Sequence, residues 1–114
     1  MAEPAMNVIR GTLNYLILRT LGTGEALHGF EILDWIHGST DGELLIEEGA
    51  LYPALHRMEK RGWLSAQWGI SERGRKAKYY SLTLKGRTAL THEDRRWSRY
   101  VAAVDKIMPR SAES

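Results

Sequence analysis

Apolar residues recur at two different periods along the chain, and the switch between them lays out its architecture. Over 11–21, Leu13, Leu16, Ile17 and Leu21 fall at helical spacing, and Gly22, Thr23 and Gly24 supply the stop that ends a first helix near Leu21. Over 28–37, Phe30, Leu33 and Ile36 stand three apart, with Ile32 and Trp35 widening the stripe, which predicts a short second helix. Gly38 to Gly42, rich in Gly, Ser, Thr and Asp, reads as a loop. Leu51, Leu55 and Met58 share one face of a third helix over 49–61, ended by Gly62. Pro53 has no amide hydrogen to give and fits in a first turn, so the start is predicted near Gly49 or Ala50.

After Gly62 the period drops to two. Leu64, Ala66, Trp68 and Ile70 alternate with Ser65, Gln67 and Gly69, and Tyr80 and Leu82 resume the alternation beyond a gap at 71–78 that contains Gly74. This predicts a hairpin, with Trp68 and Tyr80 in phase with the core and expected to pack. Thr83 can cap a long helix reaching about Met108 and stopped by Pro109, whose positions Trp97, Val101, Val104 and Met108 recur at helical spacing. The predicted fold is mainly α with a small β-hairpin: a winged helix-turn-helix over 7–83, a C-terminal dimerisation helix over 84–108, and flexible termini at 1–6 and 109–114.

Composition narrows what such a fold can do. At 114 residues, 43% hydrophobic and 26% charged, the chain is sized for one domain with an ordinary core. It has no cysteine, which removes disulfides, thiolate metal sites and a Cys nucleophile together. No apolar run approaches the ~20 residues of a membrane span, and the N-terminal residues lack the basic-then-apolar pattern of a secretory signal. A cytoplasmic protein with no membrane partner is therefore expected. The net charge of +2 hides a strong segregation: residues 25–48 carry seven acids and no Lys or Arg, whereas 57–87 carry nine bases against Glu59 and Glu72. The acidic stretch is expected to lie on the side away from a polyanionic partner.

The basic stretch supplies the candidate chemistry. With Leu51, Leu55 and Met58 turned inward, the third helix would present Gly49, Ala50, Tyr52, Pro53, His56, Arg57 and Lys60 outward. Small residues let a helix approach base edges, and Arg57 and Lys60 can reach phosphates. Arg73, Arg75, Lys76 and Lys78 crowd the hairpin tip, where like charges repel unless an anion offsets them. Together these predict binding of double-stranded DNA, with Arg75 or Lys76 at the minor groove or its phosphates and Tyr52 and Tyr79 as hydroxyl donors to phosphate. A winged helix used only for protein–protein interaction is the alternative, and such a module has little need of both basic elements. The four histidines lack metal-ligand spacing, and neither GxSxG, GxGxxG nor a phosphate-binding loop is present, so no metal, no cofactor and no enzyme activity are expected. Trp97, Val101, Val104 and Met108 predict a homodimer interface, with Trp97 facing its symmetry mate. Trp97, Tyr100 and Val101 are candidate contacts for a planar small-molecule effector.

The stretches GTLNYLILRTL, LHGFEI, EEGALYPALHRMEKRGWL and RGRKAKYYSLTLKG resemble the PadR family of bacterial transcriptional regulators, in its short subfamily with a single C-terminal dimerisation helix. The resemblance implies a dimeric winged-helix repressor acting on its own or a neighbouring operon, often one for efflux or stress. In some members release follows binding of a small aromatic or cationic effector. By matching position, Tyr52, Pro53 and Arg57 fall in the family's recognition-helix motif, and Arg75, Lys76 and Lys78 in its wing. Phe30 stands where the family often has Tyr, which removes a hydroxyl while keeping an aromatic core contact. The terminal helix matches least.

Overall fold

The computed structural model describes residues 4–7 and 11–109. Its elements run β1 (Met6–Asn7), α1 (Leu13–Leu21), α2 (Gly29–Ser39), β2 (Leu44–Leu45), α3 (Glu48–Lys60), β3 (Leu64–Ile70), β4 (Lys76–Leu82) and α4 (Leu84–Ile107). The three short helices and the β3–β4 hairpin form a winged helix. Its core is Ile17, Leu18 and Leu21 of α1, Ile32 and Ile36 of α2, and Leu51, Ala54, Leu55 and Met58 of α3, closed by Ile46, Leu64 and Tyr80. Each large aliphatic side chain buried there contributes about 1.5–3 kcal/mol.

Local chemistry sets the helix ends. His28 caps α2 by accepting from the Glu31 amide through Nδ1, while the Glu31 carboxylate accepts from the His28 amide, so both free donors are satisfied. The helix runs on through Ser39, two residues beyond its predicted end, and the Thr40 hydroxyl donates to the Ile36 carbonyl. Asp41 and Gly42, both at positive φ, then turn the chain. Phe30 departs from expectation. The buried face of α2 is centred on Ile32 and Ile36, and Phe30 lies on the far side of the helix at 57% exposure, outside the core. α3 begins at Glu48, which puts Pro53 in its second turn rather than its first. The amide that proline lacks would have met the carbonyl of Gly49, a residue with no side chain to crowd the ring.

β3 and β4 pair antiparallel from Leu64 opposite Leu82 to Ile70 opposite Lys76. A two-residue pairing with no signal in the sequence joins Met6–Asn7 to Leu44–Leu45 in parallel, so Met6, expected in a free terminus, donates its amide to the Glu43 carbonyl. The expected flexible residues 1–3 and 110–114 lie outside the described residues. α4 is capped by Thr83, whose hydroxyl accepts from the Gly86 amide and donates to the Gly62 carbonyl, pinning the helix to the turn between α3 and β3.

The first half of α4 also packs back on α1, so the two predicted units share an interface. The Tyr15 hydroxyl donates to Asp94 at 2.6 Å, and Arg19 stands 3.6 Å from the same carboxylate. Burial, then the Asp94 hydrogen bond, push the Tyr15 phenol up to about 12. An unfolded chain would ionise this phenol near pH 10, so the interaction contributes fully below that pH and disappears as pH rises through 12. Tyr15→Phe should cost about 1 kcal/mol at neutral pH. It should also remove the last-ionising of the five tyrosines from an absorbance titration of the phenolate band. A titration curve that keeps its late component would assign that component elsewhere.

Candidate nucleic-acid interface

α3 separates two faces. Leu51, Ala54, Leu55 and Met58 are buried, whereas Gly49, Ala50, Tyr52, Pro53, His56, Arg57 and Lys60 are exposed. Beyond the exposed Glu48 of the first turn, the exposed side carries Gly49, Ala50, Tyr52 and Pro53 and then becomes cationic at its end, where Arg57 and Lys60 also complement the helix dipole. Tyr52 leans across to α2: a Cβ on Gly29 would collide with its ring and hydroxyl. Burial, and then the nearby Glu48 carboxylate, hold the Tyr52 phenol above its ordinary pKa, which keeps it a hydrogen-bond donor. The acidic run does not stay on the opposite side as expected. Glu47 immediately precedes α3, without a side-chain capping bond, and Glu48 sits in its first turn, where carboxylates suit the positive end of the helix.

The wing adds a second cationic element. Its turn is closed by the Ser71 amide donating to Arg75 and the Gly74 amide donating to Ser71. Gly74 adopts φ +75°, a conformation that glycine takes without strain. Arg73, Arg75 and Lys76 project from this turn, exposed. Lys78 is committed elsewhere: its Nζ donates to Glu59 of α3 at 3.1 Å and lies 5.7 Å from the Tyr80 ring centre. The hydrogen bond to Glu59 and then the Tyr80 neighbour raise its pKa. Lys78 thus ties the wing to α3 rather than standing free at the tip. Tyr79 is similarly occupied, its hydroxyl directed to the Ile70 carbonyl at 3.4 Å and its ring edge-on to His28.

Trp68 overturns the packing expectation. It shares a strand face with buried Leu64, yet it is 64% exposed and Ile70 beyond it 69%. Four residues of strand carry Trp68 about 13 Å past Leu64, beyond the end of the core. The phase was legible, but where the core stops was not.

On α4, Trp97, Tyr100, Val101 and Met108 are exposed and Val104 is half-buried. Trp97 meets its own chain as well: its ring lies 6.0 Å from that of Tyr15 and 6.1 Å from Tyr100, to which it is stacked. Tyr15 and Asp94, the pair that seats this aromatic cluster, were missed because nothing in local spacing joins residues 79 positions apart. An open hollow of about 580 Å³ lies elsewhere, between α2 and the start of α3, lined by Asp34, His37, Glu47 and Glu48 among others.

These features coincide with a known family. The model of the transcriptional regulator PadR-like family matches residues 17–92, from within α1 to within α4, and so takes in α2, α3 and the whole wing. The chain belongs to the PadR-like family. A PadR-like protein of this kind is a DNA-binding transcriptional regulator. A transcriptional regulator from Clostridium thermocellum superimposes with a TM-score of 0.80 at 29% identity, over 89% of this chain and 97% of the other. A PadR-like transcription factor from Bacteroides fragilis gives 0.69 at 32% identity, over 86% and 91%. An uncharacterized protein from Lysinibacillus sphaericus is 31% identical over 102 residues, covering 90% of this chain and 93% of its own length. Among the described residues no helix is long and apolar enough to cross a membrane.

Proposed function

We propose that this PadR-like protein is a homodimeric repressor that occupies an inverted-repeat operator, each protomer laying α3 in a major groove and its wing against the neighbouring minor groove. The observation that carries the reading is the Lys78–Glu59 bridge, at 3.1 Å, which fastens the wing to α3, the two elements that carry the exposed cations. With the wing held to α3 in this way, Arg73, Arg75 and Lys76 would act on the same duplex as Arg57 and Lys60, all five of them exposed. Gly49, Ala50, Tyr52, Pro53 and His56 would approach bases and phosphates, while Arg57, Lys60, Arg73, Arg75 and Lys76 would supply most of the charge. Lys78 would act mainly through its bond to Glu59.

Pairing through Trp97, Val101, Val104 and Met108 would set two α3 helices about one helical turn, ~10 base pairs, apart. A planar aromatic or cationic effector stacking on Trp97, beside Tyr100 and Val101, would act where α4 meets α1 and release the DNA. The test is Arg75→Ala, read as affinity for duplex DNA across a salt series. Binding to every sequence should weaken, and the log–log slope should fall by about 0.9, the value for a single neutralised phosphate. Unchanged affinity at low and moderate salt would remove the wing from the mechanism.

A further inference from the structure

The wing carries an apolar face as well as a charged rim, and the capture of phosphates uses only the rim. Alternate residues of the hairpin share a side, and one side runs from the core outward. Leu64 and Tyr80 are buried at its base, Lys78 bonds to α3 midway, and Trp68, Ile70 and Lys76 continue past the core. Trp68 and Ile70 therefore stand on the side of the hairpin that meets α3 through Lys78 and Glu59. They are among the most exposed large apolar side chains of the protein, and among the described residues nothing folds over them. The Lys76 ammonium lies 5.4 Å from the Trp68 ring centre, holding the indole and the cation together.

We propose that Trp68 and Ile70 form an apolar contact with the deoxyribose walls of the minor groove, between the phosphates held by Arg73, Arg75 and Lys76. This rests on the DNA-binding reading above. Charge selects the occupant: an apolar patch rimmed by three cations, with Glu72 the one acid in the turn, suits a polyanion whose groove walls are C–H surface. The apolar contact has a physical signature that separates it from the cations. Phosphate binding releases counterions and sets the salt slope, whereas burial of an uncharged ring shifts affinity equally at every salt concentration.

The experiment measures binding of the full chain to a mixed-sequence duplex about three helical turns long, over a range of salt. Trp68→Ala should weaken binding on the order of tenfold throughout, giving a line parallel to that of the wild type, and Trp68→Phe should recover most of the affinity. Ile70→Ser should give a smaller parallel drop. Thermal melts should stay near the wild-type value for all three, since neither residue reaches the core. Unchanged affinity in Trp68→Ala and Ile70→Ser would overturn the proposal. So would a weakening accompanied by a fall in slope of about 0.9, because Trp68 would then only position Lys76 on a phosphate. A wild-type protein that binds no duplex would remove the DNA reading and this apolar contact with it, while wild-type binding with unaffected variants removes the apolar contact alone.

Discussion

Gly86→Ala should destabilise the protein by about 3 kcal/mol and lower its melting temperature by roughly 10–20 °C, although it adds a single methyl group. Gly86 is buried in the first turn of α4, and a Cβ there would fall on the carbonyl oxygen of Trp63, with Leu82 Cδ2 at 3.3 Å. The obstruction is backbone, and it cannot swing aside. The Trp63 carbonyl accepts the Thr83 amide at 3.0 Å, and Thr83 in turn holds Gly86 and Gly62. Relief requires α4 to lift from the turn between α3 and β3, which breaks the cap and unseats partly buried Leu90 beside the core. Thermal unfolding followed by circular dichroism checks this. A midpoint within a degree or two of the wild type would mean that the root of α4 is looser than its packing implies.

Val101→Asp should disrupt the proposed dimer while sparing the fold. Val101 lies on the distal half of α4, half exposed in a single chain, next to Val104 and Met108 on one stripe. Covered by a partner helix, an aspartate there would be a buried charge without a counterion, a cost of about 3–5 kcal/mol and so a dissociation constant raised by roughly two to four orders of magnitude. Sedimentation velocity should find monomers with wild-type circular dichroism, and operator affinity should fall because one protomer reaches one half-site. Trp97→Ala is also expected to weaken pairing, but it removes the ring contacts with Tyr15 and Tyr100 as well, which makes Val101 the cleaner position. A dimer that persists unchanged in Val101→Asp would place the interface elsewhere.

Much of the fold was written in periodicity. The inward positions of α3 and the alternation of the wing were legible because one element has a single apolar stripe and the other a clean two-residue repeat. α2 was harder. Phe30, Ile32, Leu33, Trp35 and Ile36 wrap most of the helix, and spacing alone could not choose between the side carrying Ile32 and Ile36 and the side carrying Phe30. The start of α3 was set slightly late because the rule about Pro53 concerns one missing hydrogen bond, while Glu48 extends the helix ahead of Gly49. For the candidate site, the sequence placed the exposed cations of α3 and the wing tip but could not see Lys78 turn back to Glu59. Nor could it see Trp68 overshoot the core. Both depend on how the hairpin lies against α3, a tertiary relation with no local signal.

The clasp at Thr83 has a consequence for how this chain can vary in length. α4 starts from a fixed seat and runs 24 residues, with the stripe proposed to pair on its far half. Each residue of helix advances about 1.5 Å and turns about 100°, so a single insertion between Thr83 and Val101 would swing the stripe a quarter of the way round the helix and misphase the two halves of the molecule. Under the proposed pairing this segment can lengthen only in steps that restore the phase, such as about seven or eleven residues, and the count from Thr83 to Val101 would be a ruler for the dimer.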